Sequence, residues 1–144
     1  MRKGEAVEGL AFFNLLSEDA KFCEELGRAL LAGSRLESEL KRYLTGNGVS
    51  GDTKRATLGQ LINLAKKHAL LTTALPMFEM LKVQRNYFSH NVHALFTGMI
   101  EETILPRSDL LDSDVDMFTD RASQLSENLN GLADALVRMT EREK

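Results

Sequence analysis

Apolar residues recur along this chain at three- and four-residue steps, the spacing of helices that each bury one face. A first segment, roughly Glu5 to Leu16, carries Leu10, Phe12, Phe13 and Leu16. Ser17 then reads as an N-cap, with Glu18 and Asp19 in a first turn whose free N–H groups favour acids. Phe22, Leu26, Ala29, Leu30, Gly33, Leu36, Leu40 and Tyr43 follow as the apolar stripe of a long amphipathic helix. That helix is expected to stop at Gly46-Asn47-Gly48, because glycine and asparagine tolerate the left-handed turn that closes a helix. Residues 46 to 56 are polar and glycine-rich and read as a loop. Thr57 caps a third helix with Leu58, Leu61, Ile62, Leu64 and Ala65. Thr72 or Thr73 starts a fourth, with Pro76 tolerated in its first turn, running to about Phe96.

Gly98 and Pro106 frame an irregular connection that contains Arg107-Ser108-Asp109. Ser113 with Asp116 resembles a capping box, with Asp in place of the usual Glu or Gln. A last helix then carries Phe118, Leu125, Leu129, Leu132, Leu136 and Met139, and ends in the charged tail Glu141-Arg142-Glu143-Lys144. No strand signal stands out, and Ala69-Leu70-Leu71 is too short to decide by period. The expectation is an all-α, four- to five-helix up-and-down bundle, formed by residues 1–144 as a single helical domain.

Composition narrows the chemistry. The 144 residues are 43% hydrophobic and 27% charged, with a formal net charge of −3 and a pI near 5.6. That is not the strongly basic balance of a protein that coats nucleic acid. Any RNA contact must be local or built by two subunits. The lone Cys23 excludes an internal disulfide and fits a reducing cytoplasm. Glu5 and Glu8 follow Met1-Arg2-Lys3 too closely for a signal peptide, and no apolar run has the length of about 20 residues needed to cross a bilayer. With one cysteine and three histidines, a four-ligand zinc site is not expected. No Gly-rich phosphate loop stands between a strand and a helix. Asp112, Asp114 and Asp116 alternate like a calcium loop, but the required glycine and terminal Glu are missing, so they read as helix-start acids. No metal or cofactor is expected.

The chemistry concentrates in Arg85-Asn86-Tyr87-Phe88-Ser89-His90. At about 100° per residue from Arg85, Ser89 falls near 40°, Asn86 near 100° and His90 near 140°. The four polar side chains share one arc, while Met77, Phe78, Leu81, Phe88, Val92, Leu95 and Phe96 occupy an arc from about 280° through zero to 20°. Arg85 and Ser89 thus border the core-facing stripe. A permanent cation beside a group that exchanges protons near neutral pH suits phosphodiester cleavage. Tyr87 and Phe88 read as packing residues. Glu37 is available to steady Arg85 from a neighbouring helix, or is a plain surface acid. Gly33 and Ser34, small residues inside a helix, suggest close helix approach.

Arg85-Asn86-x-x-x-His90 resembles the Arg-x(four to six)-His motif of the HEPN superfamily (higher eukaryotes and prokaryotes nucleotide-binding domains), where the residue after the arginine is often polar. The motif there lies on a late helix of a small bundle, as it does here. The stretches Leu30-Leu31-Ala32-Gly33-Ser34-Arg35-Leu36-Glu37 and Leu58-Gly59-Gln60-Leu61-Ile62 are similar to helices of that group. The resemblance implies a metal-independent endoribonuclease, cytoplasmic, acting as a toxin in a toxin–antitoxin pair or in phage defence. It implies a homodimer in which two motifs meet, leaving 2′,3′-cyclic phosphate and 5′-hydroxyl ends. Arg85 and His90 would be catalytic, with Asn86, Ser89, Lys82, His93 and Glu37 supporting them or contacting RNA, and Arg35 able to widen the basic patch. A cognate antitoxin, nucleotidyltransferase-like or other, is the implied partner, and no membrane is. The acidic pI departs from broad RNA affinity. The alternative is a non-catalytic helical regulator or interaction module similar to mannitol-operon-repressor-like proteins.

Overall fold

In the computed structural model, residues 4–49, 53, 55–97 and 110–142 are described, with the backbone alone for residues 87–97 and 110. Among them run α1 (Gly9–Glu18), α2 (Ala20–Gly46), α3 (Leu58–Lys67), α4 (Leu75–Thr97) and α5 (Asp114–Arg142). This is the expected all-α bundle. No helix among the described residues is long and apolar enough to cross a membrane. The connection from Gly98 to Asp109 and the last two residues of the charged tail lie outside the described residues.

The seam between α2 and α5 is the largest contact in the molecule. Phe22 packs edge-on to Phe118, and eleven residues on along each helix Gly33 faces Leu129. The two helices therefore run parallel. Leu36 and Leu40 of α2 and Phe118, Ala122 and Leu129 of α5 are fully buried. Phe12 of α1 closes one end against Phe118, ring centroids 5.2 Å apart. Leu58, Leu61 and Ile62 of α3 and Phe78 and Leu81 of α4 complete the core.

Several boundaries fall where the sequence puts them. α2 ends at Gly46, with Asn47 as C-cap and Gly48 in the left-handed region at φ +79°. Thr57 caps α3 in a reciprocal capping box with Gln60. Pro76 sits in the first turn of α4, where its missing N–H costs nothing.

Others differ. α1 continues through Glu18, and Asp19 rather than Ser17 caps α2, its carboxylate accepting from the Phe22 N–H at 2.7 Å. The Ser17 hydroxyl instead donates back to the Asn14 carbonyl within α1. Two short strands also form. β1 (Ala6–Val7) pairs antiparallel with β2 (Leu110–Leu111). Asp112 fixes this pairing by accepting from the N–H groups of Gly4 and Glu5 at 2.7 and 3.0 Å. Buried Asp114 accepts from Leu111 N–H at 2.8 Å. Two members of the aspartate alternation thus spend an oxygen on backbone donors.

The turn from α3 to α4 is strained. Leu70 N–H bonds back to the Ala65 carbonyl at 2.8 Å, closing α3 through Ala69 at φ +55°, with Leu71 following at φ +57°. A Cβ in that region is costly, which is why glycine normally stands there. Leu71 is held by burial, whereas Ala69 is exposed. Ala69→Gly is expected to stabilise the protein by about 1 kcal/mol, read as a raised urea midpoint with an unchanged slope.

Candidate active site

Buried Phe78 and Leu81 anchor the first half of α4. One turn past Leu81, Arg85 leaves the edge of the core and lays its stem across α2. A Cβ added to Gly33 would lie 3.7 Å from Arg85 Cδ. The guanidinium ends one turn further along α2, where Arg85 Nη1 donates to Glu37 Oε1 at 2.9 Å. The same oxygen accepts from the Leu58 N–H at 3.2 Å. Leu58 is the first residue of α3, so its N–H has no partner within the helix. One carboxylate oxygen thereby ties α2, α3 and α4 together. The side chains of Arg85 and Glu37 are 32% and 27% exposed, sheltered enough to strengthen the pair over a fully solvated one.

Arg85 and Asn86 form one end of a groove of about 610 Å³ between α2, α4 and α5. Its walls are Leu26, Ala29, Leu30, Gly33, Ser34, Glu37 and Leu125. Leu26 and Leu30 belong to the stripe that the sequence assigns to the core, yet Leu30 is 75% exposed. Leu30 is turned by about 120° from fully buried Leu36, beyond the face that α5 covers. Leu31, turned further still, is 71% exposed. Met77, also assigned to the buried arc, is 53% exposed for the same reason, since it lies at the margin of α4's apolar face.

The remaining candidates separate. Backbone from Arg85 through His90 is continuous α-helix, so the spacing assumed for the motif holds there. The side chains of Tyr87, Phe88, Ser89, His90 and His93 lie outside the described residues. Lys82 ion-pairs with Glu79 at 3.1 Å, and its stem passes within 3.4 Å of where a Gly59 Cβ would stand. It covers the start of α3 and does not line the groove. Arg35 donates to Asn130 Oδ1 at 3.1 Å and to Asp134 Oδ1 at 2.6 Å. It pins α2 to α5 beside a smaller cleft that it shares with Arg28 and Leu31. Arg28 is engaged by Glu24. The Glu24 carboxyl is held below its ordinary range, first by that hydrogen bond and then by the charge of Lys21. This ladder is solvent-exposed and lines none of the Arg85 groove.

Ser34, Leu26, Leu30 and Leu125 are groove residues that the motif alone does not reveal. The available signal was the glycine at 33 followed four residues later by Glu37, which puts a gap and an acceptor on one helix face. Comparisons with family models, curated proteins and solved structures give no match. The geometry of Arg85, Glu37 and Asn86 is therefore the basis for the site.

Glu37→Ala removes an acceptor from two donors at once and is expected to cost about 1–2 kcal/mol. Glu37→Gln keeps an oxygen there and should cost less than about 1 kcal/mol. Urea melts of the two variants against wild type provide the comparison.

Proposed function

We propose that this chain is a metal-independent endoribonuclease of the HEPN type, cytoplasmic and serving as the toxin of a toxin–antitoxin or phage-defence system. The observation that carries the reading is the restrained guanidinium of Arg85 in a groove that Asn86 also lines, on a helix whose backbone runs unbroken through position 90. In this reaction the RNA 2′-oxygen forms a bond to its own phosphorus as the bond to the 5′-oxygen breaks. One histidine takes the 2′-hydroxyl proton and a second gives a proton to the leaving oxygen. Arg85 balances the charge that builds on the non-bridging oxygens. Its guanidinium has five N–H donors, and Nη1 is the nitrogen that Glu37 engages among the described residues. The edge left over suits a phosphate. Products are a 2′,3′-cyclic phosphate and a 5′-hydroxyl.

A second copy of the chain supplies the second histidine. Leu30 stands exposed in the wall of the groove and Leu31 next to it borders the smaller cleft, an apolar surface on which a twin can seat and bring two Arg85–His90 motifs together. One observation favours the alternative of a non-catalytic regulator or interaction module: Arg85 already has a structural partner in Glu37.

Cleavage of single-stranded RNA in EDTA distinguishes the two. Wild type should release fragments with cyclic-phosphate ends, and Arg85→Ala and His90→Ala should each lose about 100-fold or more in rate with circular dichroism unchanged. Equal cleavage by all three proteins would expose a contaminant and end the nuclease reading. Leu30→Glu, at an exposed position, should convert a dimer to a monomer by light scattering and abolish cleavage together with it. A wild-type monomer at micromolar concentration removes the shared site.

A further inference from the structure

Charge is unevenly distributed in this acidic chain. From Thr53 to Phe78 there is no Asp or Glu, while Arg55, Lys66, Lys67 and His68 all fall there. The structure gathers part of this segment into a second groove, of about 510 Å³, lined by Arg55, Ala56, Gln60, Asn63, Leu64 and Lys67. Among the described residues no carboxylate lines it. The helical steps from Gln60 to Asn63 to Lys67 put three polar side chains on one face of α3. Gln60 uses its carbonyl oxygen to accept from Thr57 N–H, which leaves its amide NH₂ as the outward group. Arg55 is set in place by a turn in which the Ala56 N–H bonds to the Thr53 carbonyl. Among the described residues neither Arg55 nor Lys67 forms an ion pair.

The helix dipole explains only part of this arrangement. Lys66 and Lys67 stand in the last turn of α3, where cations are favoured. Arg55 stands just ahead of the N-cap Thr57, at the end where a cation is disfavoured. Cations at both ends of one short helix, with amide donors between them, present hydrogen-bond donors along about 10 Å of its length. That is room for at least two successive phosphates of a strand, at ~3.4 Å or more each. Among the described residues the apolar lining is half-buried Ala56 and Leu64, too little to hold the aromatic or aliphatic anchor that a protein partner normally inserts.

We propose that the Arg55–Lys67 face of α3 is a docking site for the phosphate backbone of single-stranded RNA, separate from the Arg85 groove. The choice of RNA as the polyanion rests on the nuclease reading; the donor surface itself does not. The first residue of α3 is bonded to Glu37, the partner of Arg85. RNA held on α3 is thus held on an element rigidly joined to the proposed cleavage site.

The test is anisotropy titration of a fluorescent 2′-O-methyl oligoribonucleotide, which cannot form the cyclic product, over a range of salt. Arg55→Ala combined with Lys67→Ala should weaken binding about tenfold and flatten the log–log salt slope by about 1.4, from about 0.7 per lost phosphate contact on a single strand. The control is Arg121→Ala combined with Arg138→Ala, which removes the same charge from exposed positions on α5 and should change neither. Wild-type affinity and slope in the α3 variant, equal weakening in the control, or no binding by wild type would each overturn the proposal. The nuclease reading fails separately. A protein that binds through α3 but cuts nothing in EDTA retains the docking site and loses the catalytic role. One that cuts RNA while its α3 variant binds normally does the reverse.

Discussion

The close approach of α2 to α5 sets the rest of the molecule. Ala29, Ala32 and Gly33 are buried where α2 meets α5, and small residues there let two long parallel helices come together. Gly33 costs up to about 1 kcal/mol of helix propensity, but it leaves the space that the Arg85 stem crosses. An added Cβ would meet the stem at 3.7 Å, ordinary van der Waals contact, so only a side chain longer than alanine would compete with it. The α2–α5 seam and the Arg85 stem therefore meet at one position of α2.

Glu37 then converts packing into electrostatics. Its Oε1 lies within hydrogen-bond distance of both a guanidinium and the first backbone N–H of α3. The positive end of that helix and the cation converge on the same oxygen. The arrangement fixes Arg85 in one orientation before any ligand arrives, which is what a charge-stabilising group needs if it is not to spend binding energy on reorganising.

Much of the bundle could be read from local chemistry. Gly46-Asn47-Gly48, Thr57 and Pro76 each satisfy or omit backbone groups within a few residues of themselves, and their positions in the structure agree. Competition was harder to see. Ser17 and Asp19 are both good caps, and the preference went to the carboxylate that reaches Phe22 N–H. The pairing of Ala6 with Leu111 joins segments about a hundred residues apart and leaves no periodic trace in strands of two residues. The hydrophobic period identified the apolar face of α2 but not its width, because the width depends on where α5 stops covering it. Leu26 and Leu30 fell outside that limit. In the same way Arg85 was legible as a border residue, while its acceptor, forty-eight positions earlier, became definite only once α2 and α4 were packed.

The pairing that orients Arg85 also weakens it as a magnet. A guanidinium already facing a carboxylate attracts a distant phosphate less than a free one, and the chain as a whole is acidic. An RNA nuclease built this way has to draw its substrate from elsewhere on its surface and keep Arg85 for the short-range task of stabilising the transition state. The proposed docking face would meet that need through Arg55 and Lys67, since among the described residues no acid pairs with either. In such a nuclease, separating capture from chemistry would also limit product inhibition: the cut end would leave Arg85 as the extra charge of the transition state disappeared, while contacts on α3 would hold the remainder of the strand for another encounter. On this argument the net charge of −3 does not count against an RNA substrate, because the relevant quantity is the local field along one short helix and not the sum over the chain.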